Sequence, residues 1–278
     1  MLLLILVGKD MPKFIYDKPP EKMYKYTSFK GAYSILKSNK IYFAKLSEFN
    51  DPFDGLVTPD LSTIEKRKHF IEGVKQILRN LGNAWPMDIF EQTILHDQKA
   101  ANDFARDMGD KSVKTDPHGF CCLTNTYQSL PMWAHYADNH IGCCLVFDFS
   151  AYSSQKQPEE LFPFNHMREI KYQDKLPMYD VNPLWHYYAH KSPEWQYEHE
   201  WRAIMYDKKV SQAHYPNSFL SRESNGPGFY PCNFLCGVIL GDKMEDAYKE
   251  VIKIVARQRG IYVQQASRKV YEYGIEVL

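Results

Sequence analysis

The chain has 278 residues, with 34 Lys and Arg against 34 Asp and Glu and a formal net charge of zero. That balance excludes a globally basic chain and so gives no global pointer to a nucleic-acid backbone or an anionic membrane, while the length suits one large domain or two small ones, each with a substantial core. An aromatic share of 15 % suits a pocket-bearing enzyme and a well-packed core alike.

The opening run Leu2 to Val7 is too short to span a membrane or serve as a signal peptide and reads as a terminal strand or tail, with residues 1–21 ending in Pro19-Pro20. A single α+β domain is expected over 22–278, and a cytoplasmic location with it. Met23 to Tyr26 reads as a strand, Lys30 to Ser38 as a helix with Ala32, Ile35 and Leu36 on one face, and Ile41 to Ala44 as a second strand. Asn50-Asp51-Pro52-Phe53-Asp54 follows as a rigid corner, because proline disfavours helix at Asp51 and the Asn and Asp side chains cap local backbone groups. Asn50 and Asp54 are also candidates to face a ligand pocket.

A helical insertion is expected at about 61–116. Its first stripe is Ile64, Ile71, Val74, Leu78 and Leu81, and its second, after Trp85-Pro86, is Phe90, Ile94, Ala101, Phe104 and Ala105. The pattern predicts a helical pair acting as a brace, a lid or a partner surface.

His118 to Asp148 carries the centre of the chain: strand Phe120 to Leu123, a helix opened by Ser129 and Pro131, and strand Cys143 to Phe147. Trp133, His135, Tyr136, Asp138 and His140 crowd the helix, which fits a pocket and fits core packing as well. The adjacent pairs Cys121-Cys122 and Cys143-Cys144 point to opposite faces of their strands and cannot jointly clamp an ion; reduced thiols are expected and no metal is.

Beyond a polar linker reaching Glu160 lie a short strand at Glu169 to Tyr172 and a Trp, Tyr and His-rich stretch at Tyr179 to His190. Trp195 to Ile204, taken as a strand, puts Glu198, Glu200 and Arg202 on one face, either as a surface ladder or as a site with one carboxylate kept for chemistry. Arg222 to Pro231 reads as a mobile Gly/Pro-rich loop, and Phe234 to Leu240 as a strand. Asp242 to Glu245 has the spacing of a capping box for a helix ending near Arg259, and Ile261 to Gln265 and Val270 to Val277 read as two last strands.

Tyr24-Lys25-Tyr26, Asn50 to Asp54, Met132 to Ala137 and Glu198-x-Glu200-Trp201-Arg202 together resemble the bacterial and phage family called domain of unknown function 2971, over roughly residues 22–278. More distantly, the chain is similar to the ADP-ribosyltransferase fold. That resemblance implies two small mixed or antiparallel sheets around an NAD cleft, with NAD as substrate, a protein or nucleic-acid acceptor, no membrane, and a role in a toxin or in anti-phage defence. It makes Glu200 the catalytic carboxylate, Glu198 the partner that orients or deprotonates the acceptor, and Tyr136 the nicotinamide-facing aromatic. Lys25 or Tyr26 takes the anchoring position on the first strand, Thr124 stands in the Thr124-Asn125-Thr126 run where a Ser-Thr-Ser pattern occurs, and Trp133, His135 and Arg202 complete the expected cofactor-binding set with Asn50 and Asp54. The alternatives are a metal-dependent hydrolase or nuclease using His135, Asp138 and His140 with Glu198 or Glu200, and a binding module for a nucleotide or peptide without turnover.

Overall fold

The protein is described by a computed structural model. The residues described are 17–80, 82, 87–150, 158–177, 188–214 and 222–278. The Leu2 to Val7 run, Leu81, Trp85-Pro86, the linker before residue 158 and the 179–187 part of the aromatic stretch lie outside them.

In chain order the elements are β1 (Lys22–Thr27), α1 (Phe29–Ser38), β2 (Lys40–Phe43), α2 (Ile64–Asn80), α3 (Asp88–His96), α4 (Gln98–Thr115), β3 (Gly119–Thr124), α5 (Leu130–Tyr136), β4 (Cys143–Asp148) and α6 (Pro158–Leu161). They continue with β5 (Met167–Glu169), β6 (Lys171–Tyr172), β7 (His190–Lys191), β8 (Glu200–Met205), α7 (Lys208–His214), β9 (Gly228–Pro231), β10 (Leu235–Leu240), α8 (Asp246–Gln258), β11 (Tyr262–Arg268) and β12 (Ile275–Val277). The chain is thus mixed α+β, divided into two compact units: a helical unit drawn from residues 46–116 and 171–192, and a sheet unit drawn from the stretches on either side of these.

In the sheet unit the strands do not form two small sheets. Eight of them make one sheet in the order β12-β11-β10-β4-β1-β3-β8-β5, and β2 pairs with β9 in a separate ribbon. Its ladders are antiparallel except β10 with β11. Side chains alternate between faces along each strand. Met23, Cys121, Leu123, Cys143, Leu145, Phe147, Trp201 and Ala203 go to the larger core, shared with Leu36 of α1 and Ile252 of α8. Tyr26, Cys144, Val146 and Ile239 go to a smaller core on the opposite face, under Met132 and Trp133 of α5. Helix α1 starts where the Ser28 hydroxyl accepts from the Gly31 amide at 3.1 Å, and it ends at Asn39 in the left-handed conformation, φ 54°.

Three C-terminal expectations change. The capping box does not form: α8 begins at Asp246 after an extended Glu245 with no side-chain cap, while Asp242 pairs with Arg268 at 2.8 Å. Only Ile275–Val277 of the last predicted strand is paired, with β11, and the alternation from Val270 to Gly274 is spent on a turn. Arg222 to Pro231 is not all loop, because Gly228–Pro231 is β9, pinned to β2 residue by residue.

The described residues of the expected insertion at 61–116 form three helices rather than a pair. Asp97 splits the second apolar stripe, its side chain accepting from the Ala100 amide at 3.0 Å to cap α4. Leu61, Ile71, Ile94 and Ala101 form its core, with Phe70, Phe90 and Phe104 packed against it. The predicted strand Glu169 to Tyr172 breaks at Ile170: β5 joins β8 in the large sheet, whereas β6 pairs in parallel with β7.

His166 gives the sheet unit a pH dependence. Its ring meets Tyr206 edge-on at 4.8 Å, and desolvation, helped by the Arg168 charge, pushes its pKa down to about 3 from 6.5. A depressed imidazole binds its proton in the unfolded chain first, so stability is full above pH 6.5 and falls as pH drops toward 3, by at most about 1.4 kcal/mol per pH unit. Urea titrations between pH 7 and 4 should show a shallower slope for His166→Gln than for the wild type.

Candidate functional site

The strand register builds the site. Tyr24 of β1 lies opposite Thr124 of β3, and Thr124 lies opposite Glu200 of β8, so the three form a row across neighbouring strands. The next pair of β3 and β8 on the same face is Cys122 with Arg202. Thr124, Glu200 and Arg202 are all buried.

Beside the row, Glu200 Oε1 accepts from Arg202 Nε at 2.8 Å and from Nη2 at 2.7 Å. Residues two apart on a strand share a face, which lets the guanidinium reach back along β8 to the carboxylate. The pair is no surface ladder, since Arg202 is 0 % and Glu200 3 % exposed. The Arg202 guanidinium carbon also lies 5.9 Å from the centre of the Phe120 ring. Burial, and next the Glu200 charge, push the neighbouring Cys122 thiol well above its usual range.

Glu198 reaches the site by another route. Pro193–Glu198 is a 3-10 helix rather than the start of a strand, and His199 follows with φ 45°. The expected alternation from Trp195 to Ile204 therefore holds only from Glu200 onward, because a left-handed residue resets the direction of the chain. A non-glycine residue at such a φ is uncommon and costs about 1–3 kcal/mol, and here it stands between the two glutamates. Glu198, also buried, accepts from the Tyr136 hydroxyl at 2.6 Å, and Ser129 Oγ donates to the Tyr197 carbonyl at 3.2 Å, tying both ends of α5 to this turn.

The other candidates divide. Tyr26 shares the α5 face, and its hydroxyl donates to the Thr126 carbonyl at 3.2 Å. Lys25 faces the other way, as alternation along β1 requires, and donates to the Cys122 carbonyl at 3.0 Å, so it does not join Tyr26 as an anchor on that face. Trp133, expected at the cofactor, is 0 % exposed: its indole N–H donates to the Tyr127 carbonyl at 2.7 Å and its ring packs edge-on to Tyr26 at 5.1 Å. It is a core residue whose surface is taken up by protein. His135 is exposed, 6.1 Å from the Tyr197 ring. Asn50 and Asp54 belong to the helical unit, where Asn50 is exposed and Asp54 buried. Sequence reasoning missed Tyr24, although the alternation of Tyr24-Lys25-Tyr26 already places both tyrosines on one face.

Among the described residues, no group of three or more His, Cys, Asp and Glu is arranged to hold a metal ion, and no helix is long and apolar enough to cross a membrane. All six cysteines are free thiols. No curated protein and no solved structure matches the chain. Residues 132–203, the segment that carries Tyr136, Glu198, Glu200 and Arg202, match the model of a family described as a protein of unknown function, DUF2971.

Proposed function

We propose that the sheet unit is an NAD-consuming enzyme of the ADP-ribosyltransferase type, acting by transfer to a macromolecule or by hydrolysis. The observation that carries this reading is the pair of fixed carboxylates: Glu200 held by Arg202 at 2.7–2.8 Å in the Tyr24–Thr124–Glu200 row, and Glu198 held by the Tyr136 hydroxyl at 2.6 Å. Cleavage of the bond between nicotinamide and ribose leaves its electron pair on nicotinamide and a positive charge on the ribose. A carboxylate already oriented toward that charge stabilises it without reorganising. The acceptor, water or a nucleophile of a macromolecule, then bonds to the ribose carbon and gives its proton to Glu198. The Arg202 guanidinium orients Glu200 and the Tyr136 hydroxyl orients Glu198; the distant resemblance to the ADP-ribosyltransferase fold supports the same two roles for the glutamates.

The test is NAD loss and nicotinamide release by the purified chain, alone and with cell extract. Glu200→Gln keeps the shape of the side chain and should lower the rate about a hundredfold, roughly 3 kcal/mol in the barrier. Tyr136→Phe, which removes the hydroxyl that donates to Glu198, should lower transfer about tenfold, near 1.4 kcal/mol. A wild type that consumes no NAD under either condition, or a folded Glu200→Gln variant as fast as wild type, would sink the reading.

A further inference from the structure

We propose a second ligand site, in the helical unit, that takes a neutral heteroaromatic ring carrying hydrogen-bonding groups: a nucleobase or nucleoside. The site is a cavity of about 220 Å³ between the Asn-Asp-Pro corner and the residues flanking β6 and β7. The corner is rigid. The Phe53 amide donates to Asp51 Oδ1 at 2.9 Å and the Asp54 amide to the Asp51 carbonyl at 3.2 Å, while Gly55 sits at φ 68°, where a Cβ would come within 2.5 Å of Leu46 Cδ1. Across the cavity, the Gln173 amide donates to the Lys191 carbonyl at 3.0 Å and its side chain donates to the Lys175 carbonyl at 2.7 Å. Both walls are therefore held by local hydrogen bonds.

Composition of the lining selects the ligand. Phe53, 59 % exposed, offers a ring face, and Leu56, Leu176 and Pro177 supply apolar wall, which suits a flat ring system. His190 and Ser192 add groups able to meet the polar edge of such a ring. The charges cancel: Lys191 lies 3.7 Å from the fully buried carboxylate of Asp54, and Asp174 adjoins Lys175. With Asp54 behind the wall counted against Lys191, the charges around the cavity sum to zero, which gives a phosphate no advantage. The volume lies below the roughly 300–1,000 Å³ of sites for drug-sized ligands, which matches a nucleobase or nucleoside better than a dinucleotide. The site thus stands apart from the NAD reading and does not depend on it.

Saturation-transfer NMR on the full chain, titrating adenosine, guanosine, cytidine and uridine, tests this against ribose, benzoate and adenosine monophosphate. At least one nucleoside should bind saturably, ribose and benzoate should not, and the monophosphate should bind no tighter than adenosine. Phe53→Ala should weaken the nucleoside at least tenfold, Phe53→Tyr should retain it, and Glu200→Gln should leave it unchanged; a thermal melt confirms that each variant folds. Absence of saturable binding overturns the proposal. So does tighter binding of benzoate or the monophosphate, equal binding of ribose, or a loss seen in Glu200→Gln but not in Phe53→Ala.

Discussion

Arg202→Met is expected to destabilise the protein by about 3–5 kcal/mol, because it removes one partner of a buried ion pair and puts an apolar side chain beside the remaining carboxylate. Arg202 is 0 % and Glu200 3 % exposed, so water cannot replace the two bonds that Glu200 Oε1 receives from the guanidinium. Part of the loss comes from the contact of the guanidinium with the Phe120 ring. The double variant Arg202→Met/Glu200→Leu should recover most of the stability, since exchanging a whole buried pair for apolar groups of similar volume is often neutral or stabilising. Urea denaturation at pH 7 measures both. A single variant that loses less than about 1 kcal/mol would mean that the pair behaves as an exposed one, contrary to its burial.

Trp133→Ala should cost a similar amount, about 3–5 kcal/mol, by a different mechanism. The indole fills the smaller core beneath α5, edge-on to Tyr26 at 5.1 Å and stacked on the His140 ring at 6.1 Å. Truncation leaves a large cavity, because the strands below are fixed by their ladders and cannot close on it. Trp133→Phe separates the terms: it keeps most of the apolar volume but leaves the Tyr127 carbonyl without the indole donor now at 2.7 Å, which should cost about 1–3 kcal/mol. Thermal or urea unfolding reads both variants, and a Trp133→Ala loss no greater than that of Trp133→Phe would show that the ring is not a packed core element.

Alternation and turn chemistry, both local, were legible in the sequence. Met23 to Tyr26, Phe120 to Leu123, Cys143 to Phe147 and the Phe234 to Leu240 run name strands, and Ala32, Ile35 and Leu36 name the buried face of a helix, because a side chain's direction follows from its own backbone and its near neighbours. The Asn-Asp-Pro corner was legible for the same reason, its geometry being closed by bonds within five residues. The proximity of Glu198, Glu200 and Arg202 was visible as spacing. The left-handed turn at His199 was not, because the cost of that conformation is met by contacts made elsewhere, through Tyr136 and Ser129 of a distant segment.

The sequence by itself determined the α+β class, the period of each strand, the free thiols facing opposite ways and the charge balance that leaves no global basic field. Only the tertiary structure decided that eight strands join in one sheet, that Thr124 stands opposite Glu200, that the Arg202 guanidinium bonds to Glu200 while Glu198 receives the Tyr136 hydroxyl, and that a run read as one strand divides at Ile170 between two units. Strand order and register are set by which apolar faces bury together, a long-range free-energy difference that no window of neighbouring residues contains.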